Sequence, residues 1–373
     1  MIWISRWAQI IDNSSAWLGR LSLAILALVL AFVHTGRAPV AEGSVAPRWS
    51  LSGAWTGVAA DERSATSYAL GRGGRLAEVD ANGRIVRSIA LTDERGSLLR
   101  LARVGGPPRP ALLTFSVWSN QVHAYAVDGR LLWSYPEGGL GGIDDVGVGV
   151  SGTGAAEVIV GFNGPAGLHV LNDRGQLLWK TTEIGNVWHV ASGDVWGFGG
   201  TQVVTTSATG LVHVFREGGR SPSIRLPVER RPPAPIVPPT YATMVRVGKA
   251  SKTDKAATMF VVGERPMKGP GPVTEHVVAL SLVGGKEWTL ELPTNTSRPH
   301  VDSAALASGQ PWLAVGLRGG RVHVVDVAQA RIIGTIDDQG SEPEVGWAGS
   351  ESSAPLLLVA TGAVINAFSV LVR

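Results

Sequence analysis

Seven aliphatic residues, Leu76, Val122, Leu168, Val212, Val277, Val322 and Val364, each open a short run of alternating apolar residues, usually ending in a turn. They fall 46, 46, 44, 65, 45 and 42 residues apart. Alternation with a period of two marks a strand. A recurrence near 45 residues fits a unit of four short strands with their hairpins, which takes about 40 to 50 residues. Such units close into a ring, because a lone sheet leaves its apolar faces and edges uncovered. The spacing therefore predicts an all-β chain, a seven-bladed β-propeller of four-stranded blades over residues 45–373.

Composition agrees with many short strands and tight turns: 48 Gly and 22 Pro stand among 373 residues, with only 17% charged. The formal charge of +3 comes from scattered basic residues rather than a block, so no nucleic-acid partner is expected. Cysteine is absent, which removes disulfides, thiolate metal sites and cysteine nucleophiles together and leaves the compartment open.

Ahead of the repeats, AWLGRLSLAILALVLAFV (16–33) is interrupted only by Arg20. It is long enough to span hydrocarbon, with Arg20 snorkelling to the interface. Trp3, Trp7 and Trp17 suit the headgroup layer on its amino-terminal side. A cleaved signal peptide is the competing reading, but Pro39 and Pro47 spoil the small-residue cleavage sites, and retention is preferred. The expected layout is a cytoplasmic or interfacial segment 1–15, one transmembrane α-helix 16–35, a linker 36–44 and the propeller. Arg6 and Arg20 before the span, against Arg37 and Arg48 after it, orient it only weakly; the propeller is placed on the periplasmic side of a bacterial inner membrane.

The clearest unit, Gly142 to Gly185, reads as four strands joined by glycine-bearing turns, and the unit before it repeats the order with QVHAYAVDGRLLWSY. The last unit, from Val345, ends without a fourth strand. VAPRWSLS (45–52) precedes the first unit and places Trp49 in a fourth-strand-like setting, so it is expected to close the seventh blade.

These units resemble the PQQ-like (quinoprotein-type) propeller repeat, in which a turn after the third strand precedes a Trp on the fourth; the matching residues are Gly129 with Trp133, Gly175 with Trp179, and Gly285 with Trp288 one residue closer. DDVGVGVSGTGAAEVIVG and GDVWGFGGTQVVTT also look like degenerate FG-GAP repeats. Both resemblances specify a fold and not an activity. The FG-GAP likeness implies calcium held by loop oxygens, but Asp144, Asp145 and Asp194 are too few donors for a hard cation, and structural turns are expected there. The quinoprotein likeness implies a cofactor floor, a calcium site and a catalytic carboxylate, none of which can be assigned. No cofactor or metal is expected.

Other patterns reduce to structure. Gly147-Val-Gly149-Val-Ser-Gly152 has dinucleotide-binding spacing, but a strand rather than a helix follows it. His123, His169, His213 and His323 each follow a repeating aliphatic residue, and hydrogen bonding between blades is expected of them. No Asp-box, nucleophile elbow or HExxH is present, and catalysis is not expected.

The repeat breaks in two places. LPVERRPPAPIVPPT (226–240) is a polyproline strap, with Arg230, Arg231, Pro232, Pro233 and Pro235 as candidate contacts. ERPMKGPGPVTE (264–275) is an insertion offering Arg265, Met267 and Lys268. His34, at the end of the apolar span, is a candidate ligand for a pigment or haem. Together these features point to a non-catalytic, membrane-anchored scaffold touching the lipid bilayer and the subunits of a membrane protein complex, such as a photosynthetic reaction centre with its antenna or a respiratory complex. The alternatives are an envelope assembly factor similar to the propeller lipoprotein of the barrel-insertion machinery, a PQQ-type oxidoreductase and a ligand-sensing propeller.

Overall fold

The structure is a computed structural model that describes residues 43–372, apart from 62–65, 105–108, 138–139, 152–153, 217–223, 227–240, 252, 266–273, 284–286, 297–299 and 350–354. The described chain begins with β1 (Gly43–Ser52). The first blade is β2 (Trp55–Ala60), β3 (Ser67–Gly71), β4 (Arg75–Val79) and β5 (Ile85–Ala90); the second is β6 (Leu98–Val104), β7 (Arg109–Phe115), β8 (Val122–Ala126) and β9 (Leu131–Tyr135). The third is β10 (Ile143–Val150), β11 (Ala156–Phe162), β12 (Leu168–Asn172) and β13 (Leu177–Thr181); the fourth is β14 (Val187–Gly193), β15 (Gln202–Ser207), β16 (Val212–Phe215) and β17 (Ile224–Leu226). The fifth is β18 (Tyr241–Gly248), β19 (Thr258–Arg265), β20 (Thr274–Leu280) and β21 (Trp288–Leu292); the sixth is β22 (Val301–Leu306), β23 (Trp312–Leu317), β24 (Arg321–Asp326) and β25 (Arg331–Ile336). The seventh holds β26 (Glu344–Ala348), β27 (Leu356–Ala360) and β28 (Val364–Val372), and β1 pairs with β28 as its fourth strand. All seven sheets are antiparallel four-stranded meanders, and the ring closes by joining the two ends of the described chain in one blade.

The recurring aliphatic residues lie on the third strand of every blade, fully buried except for the half-buried Val364, beside which Ile365 takes the buried position. Seven apolar clusters each combine residues of two neighbouring blades. The core is thus divided into seven wedges between sheets, and both faces of the middle strands are covered. This explains why β15 and β23 are buried at every position. Alternation along a third strand assigns residues to two different neighbours, not to core and solvent: His169, His213 and His323, in the polar phase, are as buried as the valines beside them.

Adjacent blades interlock by pairing a large side chain with a glycine. Trp133 on β9 lies over Gly175 in the β12–β13 turn, where an added Cβ would sit 2.6 Å from the indole, and its Nε1 donates to Asp173 O at 3.2 Å. Trp49 on β1 does the same over Gly83 in the β4–β5 turn, donating to Ala81 O at 3.0 Å. Ile89 takes the Trp role against Gly129. At the junction of blades six and seven the sizes are exchanged: Gly334 occupies the fourth-strand position, and Val45 of β1 fills the space. No covalent hairpin joins β28 to β1, so a side chain from the arriving strand replaces the glycine turn.

Antiparallel order fixes which connections share a face. The first-to-second and third-to-fourth hairpins open on one side, here the hairpin face; the second-to-third hairpins and the blade-to-blade connections open on the other, the crossover face. Gly43 starts β1 on the hairpin face. Leu226, Tyr241, Arg265 and Thr274, the ends from which the two irregular stretches depart, all lie on the crossover face.

Among the described residues no helix is long and apolar enough to cross a membrane. The segment 16–35, for which that expectation was made, lies outside them.

Candidate functional site

The first strand of each blade lines the central channel, where a cavity of about 320 Å³ remains. Close approach of these inner strands depends on glycine: a Cβ on Gly147 or Gly149 of β10 would press on Val190 or Ser192 of β14 at 3.0 and 2.7 Å. The glycine spacing that imitates a dinucleotide motif thus serves strand packing around the channel.

Arg100 from β6, Asp145 from β10, Arg246 from β18 and Glu344 from β26 line this channel, and His189 from β14 pairs with Asp145. Arg100 donates through Nη1 to Glu344 Oε1 at 2.8 Å and through Nη2 to Asp145 at 3.4 Å, so it ties blade two to blade three and, past blade one, to blade seven. Asp145 Oδ2 accepts from Val190 N and pairs with His189 Nδ1, both at 3.2 Å, bringing in blade four. Burial alone would raise the Asp145 carboxyl, but the hydrogen bond and charge of His189, with Arg100 and Arg246, outweigh it and hold the group well below the usual carboxylate range. Burial works against the Arg100 cation too, and Glu344 with Asp145 overcomes it, raising its pKa. A buried charge is tolerated when it is paired and hydrogen-bonded, and these three are. The network works chemically as a set of ionic spokes across the ring.

Arg246 differs. It donates from Nε to Ala304 O at 2.6 Å and from Nη1 to Val245 O at 2.8 Å, and among the described residues it makes no ion pair. Its pKa is lowered, first by burial. Near the start of β22, Asp302 accepts from Arg318 at 2.9 Å with one oxygen while its buried Oδ2 has no partner, and burial pushes its carboxyl up to about 6.

The crossover face carries a different feature. In the β7–β8 turn, Trp118 is 67% exposed with φ +67°, flanked by exposed Val117 and near the exposed Leu140. Its backbone is fixed: Trp118 N donates to Ile143 O at 2.7 Å, Ile143 N to Ser119 O at 3.0 Å, and Leu140 N to Asn120 O at 3.0 Å. A bulky residue in the left-handed region is an outlier costing about 1–2 kcal/mol, and such strain persists where the surroundings impose it. Sequence reasoning did not single out Trp118; the available signal was a tryptophan in a turn, FSVWSNQ, outside the fourth-strand register.

Of the residues proposed from sequence, His34, Trp3, Trp7, Trp17, Arg230, Arg231, Pro232, Pro233, Pro235, Met267 and Lys268 lie outside the described residues. Arg265 ends β19, its backbone opposite Thr274. Asp144 accepts from Asn163 at 2.9 Å, and Asp194 accepts from the amides of Phe198 and Gly199 at 3.1 and 2.8 Å, so both carboxylates serve local structure while Asp145 turns into the channel. Among the described residues no three His, Asp or Glu side chains converge to hold a metal ion. The four register histidines divide. His169 reaches Tyr135 of the preceding blade at 2.8 Å, and His323 reaches Pro293 O at 2.7 Å and Thr335 at 3.0 Å. His123 pairs with Ser134 at 2.7 Å and His213 with Ser207 at 3.2 Å, each within its own blade. The expectation of bridging between blades therefore holds for His169 and His323.

No protein-family model matches the chain, and no curated protein matches it. Its seven-bladed propeller architecture is shown by the fold, and that architecture fits an interaction or scaffold role.

Proposed function

We propose that this protein is a non-catalytic scaffold, tethered by residues 16–35 to a bacterial inner membrane with its propeller on the periplasmic side, that binds and stabilises a multisubunit membrane complex, such as an energy-transducing one. The observation that carries the binding role is Trp118. A rigid ring presents an indole in a strained, hydrogen-bonded turn with two further apolar side chains near it, and large aromatics of this kind anchor protein interfaces. The same face carries the ends of both irregular stretches, and the chain enters β1 from the opposite face. The ionic spokes support the non-catalytic reading, since Asp145 and Glu344, the carboxylates best placed for chemistry in the channel, are engaged with cations.

The full chain purified in mild detergent tests this. A fixed set of membrane subunits is expected to co-migrate in constant proportion with the wild type and to be lost from Trp118→Ala at unchanged melting temperature. Migration of the wild-type chain alone and monomeric overturns it.

A further inference from the structure

The two channel arginines are unequally served. Among the described residues, Arg100 has two carboxylates within ion-pair distance, whereas Arg246 has only main-chain carbonyls on Nε and Nη1, and no bond occupies its Nη2. Both line the same cavity of about 320 Å³, large enough for a small organic molecule. Arg246 is half-buried and held by neutral acceptors, and the charges of Asp145 and Glu344 reach it without an ion-pair contact, so its desolvation is only partly offset. Its planar fork presents paired donors that match a carboxylate.

We propose that the channel is a binding site for a small monocarboxylate, held by the free edge of Arg246. The rest of the ligand lies against the apolar wall formed by residues such as Ala191, Val247 and Leu306. A single charge is favoured by the neighbours: Asp145 and Glu344 interact electrostatically with Arg246 and oppose every negative charge brought to it, so a ligand with one charge is opposed least. Sulfate, phosphate and polycarboxylates are therefore disfavoured, and an apolar tail is favoured by the wall. This site is independent of the scaffold reading, which rests on the crossover face.

The test uses the full chain in detergent at constant ionic strength and pH 7, titrated calorimetrically with sodium acetate, sodium butyrate, sodium sulfate and sodium chloride. Saturable binding of butyrate is expected, with acetate weaker and sulfate silent. Removing the charge-assisted bonds in Arg246→Gln should weaken butyrate roughly ten- to a hundredfold. Arg246→Lys, which keeps the charge and loses the fork, should fall between. Should Arg246→Gln fail to fold, Ala191→Met fills the channel and leaves Arg246 in place; it should abolish binding. Equal butyrate affinity in the wild type and either Arg246→Gln or Ala191→Met, displacement by chloride at equal concentration, or no saturable binding overturns the proposal.

Discussion

The channel belt and the Trp118 turn are opposite solutions to placing awkward side chains on a rigid ring. In the belt, charged groups sit together in a narrow channel, and Arg100, Asp145, His189 and Glu344 satisfy one another. At the turn, an apolar side chain stands in water on a backbone conformation that favours glycine, with nothing among the described residues covering it. The belt around Arg100 is complete within the chain and reads as stability. The other is incomplete within the chain and reads as contact. Substitutions that invert this relation, making the belt dispensable or the turn structural, break the distinction.

The largest expected effect is at Asp145. Asp145→Ala leaves Val190 N without its acceptor and removes one of the two carboxylates of Arg100, and loss of one partner of a buried pair costs about 3–5 kcal/mol. Chemical denaturation at pH 7 measures it. Because the folded-state pKa of Asp145 is depressed, its contribution is present above the unfolded value of about 4 and is lost as pH falls through the folded value. Wild type should therefore lose more stability than Asp145→Asn on acidification below about pH 4. A loss under about 1 kcal/mol for the alanine variant at pH 7 would mean that the spokes do not hold the blades.

A smaller effect is expected at the ring's seam. Trp49→Ala removes an indole packed on Gly83 and a hydrogen bond to Ala81 O, and because Trp49 is only half-buried the cost should be about 2 kcal/mol. Val45 and Gly334 give a stricter check. Gly334→Ala meets Val45 and should destabilise, whereas adding Val45→Ala should recover at least about 1 kcal/mol. Simple additivity of the two in a thermal melt rules out the exchanged packing at this junction.

Much of the ring was legible because its determinants are local and repeated. The seven aliphatic positions, the turn glycines and the fourth-strand tryptophans recur at fixed offsets, and the shortage in the last unit points to Trp49 upstream. The belt was not legible. Arg100, Asp145 and His189 lie 45 and 44 residues apart, in step with the repeat, and Arg246 and Glu344 follow after 57 and 98, but the three in step are three different residue types, so the spacing alone marks no shared chemistry. The histidines show the intermediate case: their shared register was visible, but whether each bonds across or within a blade depends on the hydroxyl or carbonyl opposite, such as Tyr135 for His169 and Ser134 for His123. The residues proposed as contacts in the strap, the insertion and the amino-terminal segment lie outside the described residues, and Arg265 is described only in its backbone.

The smallest effect in stability is the sharpest for function. Trp118→Gly removes the side chain and relieves a left-handed backbone, so the folded protein should gain about 1 kcal/mol less the added entropy of the unfolded chain, a net change within about 0.5 kcal/mol of zero or stabilising. Trp118→Ala keeps the strain and loses the ring, and should be neutral or slightly destabilising. The glycine variant should therefore be at least as stable as the alanine variant, and the two agree in contact: both lose the indole, and both should lose the co-migrating subunits. Were Trp118 instead packing its own turn, truncation would lower the melting temperature in both variants and leave partner capture unchanged. A melt and a co-purification on the same two proteins thus separate an aromatic held out for a partner from one held in for the fold.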